Sequence, residues 1–459
     1  MKSTIILYFI FFGICQKIFA QQCLSDTTFM ALVVAQNPIL NQLSLFQNIN
    51  KAEILKAKGG FDPKLYGNIE QKQFNGSQYY SESEYGLKIP TQYGVEFKAA
   101  YEQSSGIYLN PENKTPKAGQ PIVGIKIPIL QGLFFDERRA EMLKSRLMAE
   151  SNNSERQIVL NDFFLESLSA YWKWQFAYAQ KQITETSLNA AQKRFEATKK
   201  LFFLGDRMAM DTLESFIQVQ DRALLDNASA QELKVNALKL NSFIFDSLNL
   251  NYNNTNYFTP QIIDQLNTSA NNIQVFNKNH PVINQYNIKL QQLAVDLRLK
   301  KEKQKPKLDF NYNFIGDGFN FPNLLTDNYK WGIQFSTSSL FRSERAEIQL
   351  TKIKLENAQL QLKQKKFDLE TKWLVSLTEY ENLQQQLVLT SDIAKNYERL
   401  LDLETKRFNL GESSFFLINA RELKLLETKV KMTKLASEVQ VAKVRIINAQ
   451  GILNNFFNN

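Results

Sequence analysis

Imidazole and thiol chemistry could come from only three residues of this 459-residue chain: His280, Cys15 and Cys23. One histidine cannot provide a Ser-His-Asp relay or a multi-histidine metal centre. Two cysteines exclude a disulfide scaffold and a cysteine-based zinc site. No nucleophile, base and orienting group assemble into a reactive constellation, so no catalytic, metal-binding or cofactor-binding residue is assigned and no cofactor is expected. His280 stands before Pro281 and matches Asn37 before Pro38, which suits helix capping better than metal binding. Asp211 and Glu214 fall six and nine residues after Gly205, on one face of a helix. The formal charge is +9, and the basic run Arg298–Lys307 reads as a solvated helix face rather than a nucleic-acid patch, since no base-reading motif accompanies it. What remains is architecture.

The chain starts with Met1-Lys2, an apolar run over Ile5–Ile14 and Ile18-Phe19-Ala20 before Gln21. The run is shorter than the ~20 residues of a spanning helix, so residues 1–20 read as a secretory signal peptide. Ala20-Gln21-Gln22 makes a poor lipidation motif ahead of Cys23. After residue 20 no stretch has the length and apolarity of a transmembrane helix, so membrane entry requires a closed β-barrel.

Prolines are absent from 129–259 and after 322; the only glycine in 133–259 is Gly205, and in 333–450 Gly411. Each long stretch predicts two very long helices joined at its glycine. Trp373, Tyr380, Leu387, Ala394 and Leu401 recur every seven residues, as do Ile353, Leu360, Phe367 and Leu374, and Phe164, Tyr171 and Tyr178. Such seams belong to coiled coils, and two on one helix predict neighbours on both sides. The aromatic run Tyr171–Tyr178 fits core packing between those helices. The proline-bearing segments alternate with period two: Tyr93, Val95, Phe97; Val123, Ile125, Ile127; Phe310, Tyr312; Trp331, Ile333, Phe335. These are predicted strands with one apolar face, of a length suited to a membrane barrel.

The chain is a duplication. Pro38 to Pro63 and Pro281 to Pro306 both span 25 residues. Phe135-x3-Arg139-Ala140-Glu141 is answered by Phe341-x3-Arg345-Ala346-Glu347, and Arg139–Gly205 and Arg345–Gly411 both span 66 residues. The first repeat covers 21–248 with strands within 64–129, an Asn-rich join covers 249–279, and the second repeat covers 280–459 with strands within 307–337. Between its strands the first repeat holds 35 extra residues, with a candidate hairpin around Pro90–Gly94. Helices of 66 residues would extend ~100 Å. Their flanks, and the open edges of so few strands, call for partner subunits in cyclic assembly.

Ala31-Leu32-x4-Asn37-Pro38, Pro128-Ile129-Leu130-x-Gly132, Arg407-Phe408-Asn409-Leu410-Gly411 and the duplicate spacings resemble the TolC-like outer-membrane efflux proteins over nearly the whole chain. The resemblance implies an α+β membrane protein: a homotrimeric β-barrel in outer-membrane lipid, four strands per chain, continued by a periplasmic α-helical barrel. It implies an exit duct of tripartite efflux or type I secretion, docking to a periplasmic adaptor (membrane fusion protein) and an inner-membrane pump. The turn residues Leu204, Gly205, Asp206, Leu410, Gly411 and Glu412 become adaptor-docking candidates. Asp211 and Glu214 become candidates for a tip gate or cation ring, since threefold symmetry multiplies charge. Two departures stand out: the second repeat has Ser339-Leu340-Phe341 where the family has Pro-Leu-Phe, and Leu417 and Ala420 where it usually carries the gating acid. The competing readings are an adhesive coiled-coil envelope protein, which has no need of alternating strands, and the periplasmic adaptor itself, which should interrupt its hairpin with soluble β-domains.

Overall fold

A computed structural model describes residues 22–244, 258–260, 276–277, 279–316 and 328–453. The expected signal segment and most of the expected Asn-rich join lie outside the described residues. The chain runs β1 (Gln22–Leu24), α1 (Asp26–Gln36), α2 (Pro38–Lys58), β2 (Lys64–Phe74), β3 (Ser77–Pro90), β4 (Glu96–Ser105), β5 (Gln120–Pro128), α3 (Glu137–Phe203) and α4 (Ala209–Ile244). It continues with β6 (Phe258–Pro260), α5 (Pro281–Lys303), β7 (Lys307–Ile315), β8 (Tyr329–Ser336), α6 (Arg342–Asn409) and α7 (Phe415–Ala449). With no breaker to end them early, α3 and α6 reach 67 and 68 residues.

The helix starts follow from their caps. His280 Nδ1 accepts the Val282 N–H at 3.1 Å while Pro281 occupies the first turn, where no backbone donor is missed. Its counterpart Asn37 donates from Nδ2 to the Phe243 carbonyl at 2.8 Å. Asp136 Oδ1 accepts the Arg139 N–H at 2.9 Å and opens α3.

Compactness divides the chain into two units that cut across both repeats. One comprises Ile39–Leu160 and Phe276–Lys372. It contains a six-stranded antiparallel sheet of order β2-β3-β4-β5-β7-β8, and a core of Phe135, Ala140, Leu147, Ile288 and Val295. The basic run is not simply solvated: Arg298 lies over the Phe135 ring at 4.3 Å, Lys300 pairs with Glu347 at 2.8 Å and Lys305 with Glu302 at 2.6 Å.

The other unit comprises Met1–Pro38, Asn161–Val275 and Trp373–Asn459. In it β1 pairs parallel with β6. Tyr171, Trp172 and Trp174 are buried, Phe29 stacks on Tyr171 at 5.5 Å, and Tyr171 Oη donates to the Leu24 carbonyl at 2.8 Å. The aromatic run is therefore core. Asn161 Nδ2 donates to the Asn448 carbonyl at 2.9 Å, and Asn448 Nδ2 returns a bond to the Asn161 carbonyl at 3.0 Å. Asn161 Oδ1 also accepts the Leu453 N–H at 3.0 Å. The two heptad seams of α6 part company: Trp373, Tyr380, Leu387 and Ala394 are buried, whereas Ile353, Leu360, Phe367 and Leu374 are exposed.

To the six-stranded sheet the first repeat supplies four strands and the second two, where the resemblance implied four in all. Asn75-Gly76, at φ 50° and 77°, make the two-residue turn joining β2 to β3. Both central residues of a type I′ turn need positive φ, which Asn and Gly tolerate best. Tyr93 and Val95 were expected on a strand and instead lie in the turn between β3 and β4. There the Thr91 N–H and Oγ1 both donate to the Val95 carbonyl, at 2.9 and 2.7 Å, and Gly94 at φ 87° reverses the chain. The period-two pattern runs on through this turn although the backbone does not.

Candidate functional site

Two places concentrate features that packing alone does not require: the paired helix turns, and the sheet's apolar face. At the end of α3 the Gly205 N–H donates to the Phe202 carbonyl at 3.0 Å and the Asp206 N–H to Leu201 at 2.9 Å. At the end of α6 the Gly411 N–H donates to Phe408 at 3.0 Å and the Glu412 N–H to Arg407 at 2.9 Å. Both are Schellman closures with glycine at the left-handed position, φ 82° and 78°, where a Cβ would be strained. The next helix starts four residues on in each case, with Ser414 Oγ accepting the Leu417 N–H ahead of α7.

These turns present apolar side chains to solvent. Leu204 is 74% and Leu410 75% exposed, and Phe203, Met208, Met210 and Phe416 are likewise exposed. Sequence reasoning picked out the residues beside the glycines and missed these apolar neighbours, whose signal was the clustering of Phe and Met at the polar end of a helix. Arg207 stacks over the Phe408 ring at 5.0 Å, Arg194 pairs with Glu422, and Ser413 Oγ donates to the buried Glu404 at 2.6 Å. Arg222 is buried with Nη2 3.4 Å from Asn419 Oδ1; burial pushes its pKa down, while Glu422 pulls it back up. Asp211 is half-buried in a groove of about 420 Å³ that also touches Arg194, Arg207, Phe408, Phe415 and Glu422. Glu214 is half-buried one turn further along α4 and is not among the residues lining that groove.

The sheet's strand register puts Phe97, Ile125, Tyr312 and Trp331 in one row, with Ile127, Phe310 and Ile333 in a second. A third row crosses all six strands: Leu65, Leu87, Ala99, Val123, Phe314 and Tyr329. Phe335 faces Leu308 on the same side. Tyr312 stacks on Tyr329 at 5.8 Å, and Trp331, Ile333 and Phe335 are all more than half exposed. The opposite face is polar. There Glu84 accepts from Tyr66 Oη at 2.6 Å and pairs with Lys98 at 2.6 Å, and Lys126 pairs with the buried Asp309 at 2.9 Å. One oily and one charged face is the pattern of a sheet between lipid and water.

Among the described residues no group of three or more His, Cys, Asp or Glu side chains is placed to hold a metal ion. No single described helix is long and apolar enough to cross a membrane.

No protein-family profile matches the sequence, and no curated protein matches it. Solved structures match it in fold. The Campylobacter jejuni CmeC outer membrane channel aligns over 92% of this chain and 84% of its own, at TM-score 0.66 and 12% identity. The outer-membrane channel OprN aligns over 92% and 89%, at TM-score 0.68 and 13% identity. The outer membrane protein VceC of Vibrio cholerae aligns over 92% and 95%, at TM-score 0.66 and 11% identity. At such identities the likeness is one of fold, and it spans nearly the full length of these channels.

Proposed function

We propose that this chain is the outer-membrane exit duct of a tripartite efflux or type I secretion system. Three copies form a β-barrel in outer-membrane lipid, continued by a helical tunnel through the periplasm. The duct conducts passively; an inner-membrane pump supplies the energy and a periplasmic adaptor makes the junction. One observation carries the reading: a single chain joins a sheet with one aromatic face and two open edges to two long helical hairpins with an exposed apolar seam. Lipid would cover the aromatic face, since it offers no partner to the backbone and none is needed there. Sister subunits would cover the edges and the Ile353-Leu360-Phe367 seam.

The turns at Gly205 and Gly411, with Leu204, Asp206, Leu410 and Glu412, are the proposed adaptor contacts, and their exposed apolar neighbours suit a docking surface. Asp211 and Glu214 are the proposed tip gate. Threefold repetition would gather six carboxylates near the closed end and draw cations to it.

Envelopes extracted in detergent should yield a heat-sensitive trimer that forms pores in planar bilayers. A monodisperse monomer soluble without detergent would sink the proposal. Gly205→Asp and Gly411→Asp should abolish export while trimer yield stays intact; normal export by both removes the docking role. Asp211→Ala with Glu214→Ala should raise conductance and weaken cation preference, and unchanged selectivity removes the gate.

A further inference from the structure

The first repeat supplies two more strands to the sheet than the second, and its outermost pair, the β2–β3 hairpin, is part of the sheet wall. β3 is registered against β4 from Ser81↔Ser105 to Pro90↔Glu96, without a bulge. The β2, β3 and β4 strands are tied together by Tyr66, Glu84 and Lys98, at 2.6 Å for both contacts. β2 has 11 residues against 10, 9, 9 and 8 in β4, β5, β7 and β8, and β3, with 14, runs past the β4 ladder at Ser77–Tyr80, so the hairpin is at least as tall as its neighbours. Its Leu65 and Leu87 continue the apolar row that ends at Tyr329.

The outer edges of the sheet are β2 and β8. Each carries a row of backbone donors and acceptors that no described strand of the same chain meets, and in lipid such a row needs a partner. Every neighbouring pair in the sheet is antiparallel, so the first and sixth strands run in opposite directions. β8 of one copy therefore meets β2 of the next in the same antiparallel sense as every other pair. With Leu65 opposite Phe335 and Ile69 opposite Trp331, the apolar face passes unbroken across the junction.

We propose that β8 of each copy pairs with β2 of its neighbour, which closes a wall of six strands per copy, eighteen in the trimer. This rests on the trimeric duct proposed above. Barrel diameter grows nearly in proportion to strand number, so the wall is about half as wide again as one with four strands per copy. The added hairpin thus sets the bore of the outer-membrane segment. The occupant of both edges is a second copy of this chain, because only a copy offers the complementary edge at the same height and facing.

Intermolecular disulfides test it, in the full-length chain carrying Cys15→Ser and Cys23→Ser. Ile69→Cys is combined in turn with Trp331→Cys, Ile333→Cys or Phe335→Cys, and the membranes are oxidised before denaturing electrophoresis. One of these pairs should give covalent dimers and trimers. Phe97→Cys, Ala99→Cys or Tyr101→Cys on β4 should not cross-link to the same positions. Cross-links from β4 instead, in a trimer that still forms pores, would put the hairpin outside the wall and overturn this inference while leaving the duct intact. A cross-link confined to the monomer band overturns it too, as does an intact trimer with no cross-link from either strand. Absence of any trimer or pore would instead fail the duct itself, and this inference with it.

Discussion

The two repeats agree where they turn and differ where they form sheet. α3 and α6 have 67 and 68 residues, α4 and α7 have 36 and 35, and the glycine closures repeat bond for bond. The strand portions, four against two, do not correspond. From Arg139 to Gly205 and from Arg345 to Gly411 the count is 66 residues in both repeats, and one residue inserted there would rotate everything beyond it by ~100°. A sheet is freer. A hairpin adds two strands and returns the chain to the same end and direction, so later elements keep their place.

The comparison can be broken most forcefully on the apolar face. Ile333→Arg in the second repeat should cost about 2–4 kcal/mol per copy if the face meets lipid, read as lost trimer yield and lower urea resistance in liposomes. Ile69→Arg in the β2–β3 hairpin should cost the same if that hairpin shares the wall, and almost nothing if it does not. Next in size, Asn161→Ala removes the buried bonds to Asn448 and Leu453 and should cost about 1–3 kcal/mol, seen as a lower denaturation midpoint. Gly205→Ala and Gly411→Ala each force a Cβ into a left-handed turn, at about 1–2 kcal/mol. Because the closures are alike, the two losses should match, and the double variant should show their sum.

The smallest effect separates the helix starts. Asp136 caps α3, whereas the matching residue of the second repeat, Arg342, is the first of α6. Burial pushes the Asp136 carboxyl up, but bonds from the Arg139 N–H and guanidinium, with the nearby charge of Arg138, outweigh it and hold the group below its ordinary range. A folded-state pKa below the unfolded one stabilises above the unfolded value of about 3.9. That stabilisation is lost as the pH falls further, through the folded value. Asp136→Asn keeps a capping oxygen but removes the charge facing Arg138 and Arg139, so it should lower stability by up to about 1 kcal/mol near neutrality and remove this acid-dependent component. Circular dichroism melts at pH 7 and pH 3 would measure both.

Much of this architecture was readable along the chain because its causes are local. Proline and glycine placement marks the long helices, and a glycine after an apolar residue marks each turn. Period-two alternation located β4, β5, β7 and β8 by their residues. It failed at Tyr93 and Val95, where side chains alternate but Gly94 reverses the backbone. β2 was legible only at its start, since Gln71 and Gln73 fill the face that should be apolar; Asn75-Gly76 was the available turn signal. The Arg207 guanidinium over the Phe408 ring, the buried Arg222 and the Asn161–Asn448 exchange depend on partners far away in sequence, which no local period encodes.

That exchange of amides has a consequence for biosynthesis. Its two residues lie 287 positions apart, one in each repeat. The first repeat leaves the ribosome with its side of the clasp unanswered until the second has been made. Locking is postponed to the last stage of synthesis, and a nascent chain interrupted before Asn448 has no way to complete it.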